Sequence, residues 1–259
     1  MDHHDEAIAT YVALARRRPE VVGVLVAGSV ARGEERADSD VDLVLVVTEA
    51  EWRLAVDQDR VMVVETEAIG YDGGYFDVKL ATAAMLEAAA DRGDGPVLRS
   101  LGDARCAFDR GVGLEGALAR IRATGPDHAA LVRSFVAQAR IHGDYFLEEG
   151  LRRRDPLLVA HAAVHLATSA GRAALALHGR AFPGPKQLLD EVRSLPGGDG
   201  LADAVVAAVV RPSAGTASAV LATLDAAVGA ESTAASSLSR FVLDNELAWF
   251  TGRPAPEYR

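Results

Sequence analysis

One stretch constrains the fold of this chain more than any other. Two apolar runs, 21–27 and 43–47, flank the polar segment GSVARGEERADSDVD. Both runs are rich in valine, which is typical of buried strands. Gly28-Ser29 ends the first run, and Asp40 and Asp42 open the second. Because strand residues two apart point to the same face, the two aspartates are predicted to project together.

Two neighbouring carboxylates repel each other, and burying them is costly unless a cation or a donor compensates their charge. Mg²⁺ is the obvious compensation, since it takes oxygen ligands and sits between carboxylates and substrate phosphates. Gly28 lets the backbone approach a ligand closely, and N–H groups at a turn or helix start favour anions. The pattern therefore predicts a site for Mg²⁺ and a nucleoside triphosphate.

The pattern GSxxRGxxxxxSDxD, from Gly28 to Asp42, resembles the signature of the DNA polymerase β-like nucleotidyltransferase superfamily. It is especially similar to small bacterial nucleotidyltransferases, which include aminoglycoside and lincosamide adenylyltransferases and the minimal enzymes of toxin–antitoxin pairs. The resemblance implies Mg²⁺-dependent transfer of AMP from ATP to a hydroxyl of a small molecule, such as an aminoglycoside-like antibiotic, with release of pyrophosphate. It also implies two Mg²⁺ ions.

A third carboxylate from a neighbouring strand completes the site in this superfamily. The resemblance assigns metal binding and catalysis to Asp40, Asp42 and a third acid. Asp77, on a strand predicted over 75–80, is our candidate, and Glu65 and Glu67 are the alternatives.

Nucleotide contacts are expected from a second set of residues. The resemblance assigns them to Gly28, Ser29, Arg32, Ser39 and Lys186. Arg32 has an alternative role, since it could equally pair with Glu34, Glu35 or Asp38. Lys186 lies in FPGPK, similar to an FPG-x-K stretch of bacterial nucleotidyltransferases, although Gln187 departs from the aromatic residue expected next. Only two of the 27 basic residues are lysines, Lys79 and Lys186.

The charge of the chain is unevenly distributed. Residues 1–112 contain 22 acidic and 12 basic side chains, whereas residues 113–259 contain 15 of each, so the net charge of −10 lies in the first part. Nucleic-acid binding needs a basic surface, so a template-using polymerase or a tRNA-tailing enzyme is disfavoured. A cationic small acceptor, or Mg²⁺, is favoured.

Sequence composition also indicates the cellular compartment of the chain. No apolar run approaches the roughly 20 residues of a membrane helix. The N-terminal residues, MDHHDEAIAT, do not form a basic-then-apolar export signal. The single cysteine, Cys106, suits a reducing compartment. We therefore expect a cytoplasmic protein that does not bind membranes.

Two regions are predicted. Residues 1–112 indicate an α/β nucleotidyltransferase head with a small mixed sheet, and residues 113–259 indicate an all-α helical bundle. The antibiotic adenylyltransferases have a similar layout. Bundle helices are predicted over 126–149, 155–178, 185–195, 201–210, 218–228 and 232–250. Within the bundle we interpret His161 and His165, four residues apart, as structural.

Two other functions remain open at this point. A protein-modifying adenylyltransferase of the toxin–antitoxin type would have the same signature. So would a nucleotide-binding regulator that had lost catalysis, although the intact Asp40–Asp42 pair argues against it.

Overall fold

The structure, a computed structural model, describes residues 2–92, 95–124, 127–229 and 234–252. The chain divides into two compact units, Met1–Gly125 and Pro126–Arg259. Our predicted division after residue 112 falls before a helix, Leu114–Ala123, whose apolar residues belong to a core of the first unit. No helix in the described segments is both long and apolar enough to cross a membrane.

The N-terminal unit alternates helices and strands along the chain. In order, its elements are α1 (Asp2–Ala15), β1 (Val21–Val26), α2 (Gly28–Arg32), β2 (Val41–Val47), α3 (Glu49–Asp57), β3 (Met62–Glu65), β4 (Phe76–Ala81), α4 (Ala83–Arg92), α5 (Gly95–Gly102), β5 (Arg105–Asp109) and α6 (Leu114–Ala123).

The five strands form one mixed sheet in the order β3-β4-β2-β1-β5. β2 and β4 are parallel, and the other neighbouring pairs are antiparallel. This confirms the predicted α/β head with a small mixed sheet. The parallel pair arises because α3 and β3 lie between β2 and β4 in the chain and return it to the same end of the sheet.

The sheet buries apolar residues on both faces, because successive strand residues alternate between them. Leu43 and Phe76 lie on the face covered by α1, where the Tyr11 ring packs at a tilt against Phe76. Val44 and Ala81 lie on the opposite face, which is covered by α4, α5 and α6.

All of the secondary-structure elements in the described residues of the C-terminal unit are helices. Its elements are α7 (His128–Arg140), a π-helix (Ile141–Phe146), α8 (Leu147–Arg153), α9 (Pro156–Leu177), α10 (Leu188–Arg193), α11 (Gly198–Val210), α12 (Ala214–Val228), α13 (Ala234–Asp244) and α14 (Ala248–Thr251). The predicted start at Gly125-Pro126 lies outside the described residues. Asp127 caps α7 through Ala130 N–H, and the predicted helix 126–149 is interrupted by the π-helix.

The π-helix brings a third histidine to the predicted pair on α9. The ring centroid of His142 lies 4.7 Å from that of His165 and 5.4 Å from that of His161. Phe146 and Phe241 pack around the same imidazole, which is 5% exposed. The pKa of His142 is lowered to about 3. Burial is the largest cause, and the two neighbouring histidines act in the same direction.

This burial predicts an acid-sensitive C-terminal unit. The unfolded chain protonates His142 near its ordinary pKa of about 6.5, whereas the folded chain does so only near 3, so stability falls as pH drops between these values. At pH 5 the loss is on the order of 2 kcal/mol. His142→Phe should reduce the difference in unfolding free energy between pH 7 and pH 5, measured by urea denaturation. The control is His178→Phe, at the exposed end of α9, which should keep the wild-type difference.

Candidate active site

The strand register places two of the predicted acids side by side. Asp42 of β2 and Asp77 of β4 are direct partners in the parallel pair. Both lie at the start of their strands, on the face that further along packs against α4, α5 and α6. Their side chains are 30% and 17% exposed, respectively. The sheet thus holds two partly buried carboxylates next to each other within reach of solvent.

Gly28 lies directly against this pair. It has a φ of +65°, and a Cβ atom built there would lie 1.8 Å from Asp42 Oδ2. The main chain just before Gly28 is fixed as well, since Ala27 N–H donates to the Asp42 carbonyl at 2.9 Å. Only glycine combines this backbone conformation with room for the Asp42 carboxylate. The glycine at the start of the signature therefore has a steric reason in the structure.

The electrostatics of Asp42 reflect its crowded position. Burial raises its pKa above the ordinary aspartate value, and the negative charges of Asp40 and Asp77 act in the same direction. The positive charges of Lys79 and Arg32 oppose this shift. A carboxylate whose ionised form is disfavoured in this way gains from a nearby cation.

Lys79 supplies the nearest positive charge. Its Nζ atom lies 3.9 Å from Asp42 Oδ1 and 3.9 Å from Asp77 Oδ2, and its side chain is 51% exposed. Among the residues that the structure describes, no three His, Cys, Asp or Glu side chains are arranged to hold a metal ion together. An ammonium group therefore faces the Asp42–Asp77 pair, and the charge of Asp40 acts on Asp42 as well.

The residues present nevertheless fit a divalent cation. Carboxylate oxygens are the ligands that Mg²⁺ prefers. Asp77 Oδ1 is buried and has no hydrogen-bond partner within the described ranges, so one oxygen is available for a ligand. The raised pKa of Asp42 points the same way, because a bound cation would compensate its charge.

The loop that carries Asp40 is held by residues far from it in sequence. The Tyr71 hydroxyl donates to the Ser39 carbonyl at 2.6 Å, and Nε2 of His4 lies 3.2 Å from the same oxygen. His4 is fully buried, and its ring packs against Tyr71. These contacts fix the peptide bond that precedes Asp40. Asp40 also accepts a hydrogen bond from Tyr75, which raises the pKa of that phenol.

His4 and Tyr71 were missed by the sequence analysis. The N-terminal MDHHDE gives no motif for such a contact, and Tyr71 opens YDGG, a sequence typical of a turn. Their hydrogen bonds span 35 and 32 residues. Only the placement of α1 beside the loop brings them together.

Several other predicted residues make local contacts. Arg32 Nε donates to Glu34 at 2.7 Å, which matches one of the alternatives left open for it. The Ser39 hydroxyl accepts from Arg36 N–H at 2.9 Å and so stabilises the turn before β2. Ser29 lies in the first turn of α2, directly after Gly28.

The two alternative third acids lie elsewhere. Glu65 pairs with Phe76 in the β3–β4 ladder, and its Oε1 accepts from the Tyr11 hydroxyl at 3.3 Å on the α1 face of the sheet. Glu67 follows the end of β3 in a turn. Asp77 alone among the three is the direct strand neighbour of Asp42.

Lys186 belongs to the C-terminal unit. It is exposed and lies in a turn just before α10. The segment that carries it is anchored by Phe182, whose ring lies 4.5 Å from the Arg172 guanidinium. Arg172 is 5% exposed and also faces the ring of Phe135 at 4.2 Å, so it holds this segment on the bundle.

One comparison with known proteins matches part of the N-terminal unit. Residues 12–83 match the model of the nucleotidyltransferase domain family. No curated protein matches the sequence. Among solved structures, the chain is similar to a nucleotidyltransferase-like protein from Exiguobacterium sibiricum 255-15. The two share 14% identity with a TM-score of 0.45, over 94% of this chain and 80% of that one.

The matched range contains the whole Gly28–Asp42 signature, the β2–β4 pair and the glycine that contacts Asp42. The sequence signature, the mixed sheet and the family model thus agree on one assignment. The N-terminal unit contains a nucleotidyltransferase domain, matched over residues 12–83.

Proposed function

We propose that this chain transfers AMP from ATP to a hydroxyl group of a small, cationic acceptor, with Mg²⁺ as cofactor and pyrophosphate as the second product. One observation carries the proposal. Asp42 and Asp77 are direct neighbours on parallel strands, and Gly28 leaves room for the Asp42 carboxylate beside the start of α2. Nucleotidyl transfer needs such an acidic pair next to a backbone that can receive phosphates.

Asp40, Asp42 and Asp77 are the proposed ligands of the cation. When bound, Mg²⁺ would neutralise charge on the α-phosphoryl group and the leaving pyrophosphate, and would make the acceptor hydroxyl more acidic. Asp40 is kept in position by the anchored Ser39 peptide and by Tyr75. Asp77 Oδ1, which is buried and unpartnered within the described ranges, can coordinate the cation or accept the proton of the attacking hydroxyl.

The triphosphate would contact residues on both sides of the signature. Gly28 and Ser29 open α2 beside Asp42 and offer main-chain N–H groups. Arg32 is 16% exposed and affects the pKa of Asp42, so it lies near enough to exchange Glu34 for a phosphate. Ser39 contributes through the turn that places Asp40. The role of Lys186 as a phosphate contact stays a prediction from the sequence.

The acceptor is inferred from charge. All of the net negative charge lies in residues 1–112, and a cationic small molecule would be drawn to it. Aminoglycosides are such cations, and lincosamides carry a basic amine as well. Aminoglycoside and lincosamide antibiotics are therefore the acceptors to test first.

The proposal is tested by measuring pyrophosphate release from ATP and Mg²⁺ with a panel of aminoglycosides and lincosamides. Release that requires a drug would support both the reaction and the acceptor class. Release that requires an added protein instead would support adenylylation of a protein. Nucleotide binding without release under any condition would contradict the proposed catalysis.

Asp42→Asn should lower pyrophosphate release by about 10³-fold or more, because a charge-stabilising ligand worth several kcal/mol is lost. The fold should be retained, since the raised pKa of Asp42 means that its ionised form is unfavourable in the metal-free protein. Asp38→Asn is the matched control, because this side chain is 74% exposed in the same loop. Residual activity of Asp42→Asn within tenfold of wild type would contradict the assignment.

Alanine substitutions at two glycines distinguish the effect of steric contact at the site from the effect of backbone strain. Gly28 and Gly33 have φ values of +65° and +69°, but only at Gly28 would a Cβ meet another residue, namely Asp42. Alanine at either position costs about 1–2 kcal/mol in backbone strain. Gly28→Ala should in addition reduce turnover by about 100-fold, because it displaces the Asp42 carboxylate.

The measurements are the steady-state turnover and the thermal midpoint of both variants. Gly33→Ala should lose stability but keep most of its activity. Equal losses of activity in the two variants would show that strain alone is responsible.

A further inference from the structure

Lys79 has a place at the site that the catalytic assignment does not explain. It follows Asp77 by two residues in β4 and therefore projects from the same face of the sheet. Its Nζ atom is equidistant, at 3.9 Å, from an oxygen of Asp42 and an oxygen of Asp77. One ammonium group thus serves two carboxylates that come from different strands.

A cation at this position reduces the repulsion between the Asp42 and Asp77 carboxylates. The carboxylates of Asp42 and Asp77 are strand neighbours and partly buried, and the pKa of Asp42 is raised by burial, Asp40 and Asp77, while Lys79 lowers it. A divalent ion held by the same two carboxylates would lie within a few ångströms of the ammonium. Like charges that close repel, so the ion and the Lys79 head group cannot share the pair on equal terms.

The Lys79 side chain can readily move away from the Asp42–Asp77 pair. It is half exposed, its contacts of 3.9 Å are long for an ion pair, and its stem is flexible. An arginine would instead grip a carboxylate through two parallel hydrogen bonds. In a chain with only two lysines among 27 basic residues, the lysine at this position gives a cation that can be released.

We propose that Lys79 is the built-in counter-ion of the Asp42–Asp77 pair, which a divalent cation displaces, and that metal binding is consequently coupled to the nucleotide. The inference rests on the proposed function. Without nucleotide, displacement leaves the ammonium without an anionic partner at the site. With a triphosphate bound, phosphate oxygens supply new partners, so the metal and the nucleotide favour each other's binding.

The test is a titration of the full-length protein with Mn²⁺, following the free ion by electron paramagnetic resonance, with and without a non-hydrolysable ATP analogue. Lys79→Met should bind Mn²⁺ alone at least about tenfold more tightly than wild type, because the competing charge is gone. The factor by which the analogue strengthens Mn²⁺ binding should shrink in the same variant. Lys79→Arg should bind Mn²⁺ alone no better than wild type.

A second measurement does not depend on metal. In the presence of a chelator, Lys79→Met should have a lower thermal midpoint than wild type, since two carboxylates lose their shared cation. Saturating Mn²⁺ should then raise its midpoint by more than it raises that of wild type. Arg53→Met, on the exposed surface of α3, is the control for the loss of one positive charge and should behave as wild type.

The outcomes separate this inference from the proposed function. An unchanged or weaker Mn²⁺ affinity in Lys79→Met, in a protein whose wild type still releases pyrophosphate, would overturn the role of Lys79 alone. No Mn²⁺ binding by wild type or by Lys79→Met, even with the analogue, would overturn both. Tighter Mn²⁺ binding by Arg53→Met to the same degree would reduce the effect to net charge and would also overturn the inference.

Discussion

The candidate site of the N-terminal unit is built around two carboxylates that the sheet holds side by side, where their charges repel each other. Parallel pairing of β2 with β4 makes Asp42 and Asp77 neighbours on one face, and the strand register fixes their main-chain positions. Their charges need a cation. In the protein alone Lys79 supplies it, and in the proposed enzyme a nucleotide-bound Mg²⁺ would replace it.

The surrounding structure keeps this unfavourable arrangement in place. Gly28 gives the Asp42 carboxylate its room, and the apolar residues of β2 and β4 pack on both faces further along the strands. The Asp40 loop is tied by Tyr71 and the buried His4 in addition to its own Arg36–Ser39 turn. A site that costs stability locally is therefore supported by contacts from α1 and from the turn before β4.

Much of the head region followed from local patterns. Valine-rich apolar runs predicted β1 and β2, and the strand predicted over 75–80 corresponds to β4. The rest depended on long-range packing. His4 and Tyr71 meet the Asp40 loop only in three dimensions, α6 joined the first unit through its core contacts, and the π-helix that brings His142 to His161 has no sequence signal of its own. The assignments of individual site residues stay predictions.

The most direct test of the account is a crystal structure of the protein with Mn²⁺ and a non-hydrolysable ATP analogue, with the ion located by its anomalous scattering. The account predicts an ion within about 2.1 Å of carboxylate oxygens of Asp42 and Asp77, bridging them to the triphosphate, with Lys79 moved off the pair. An ion bound only by phosphates, or by another part of the chain, with Lys79 still between the two aspartates, would contradict it.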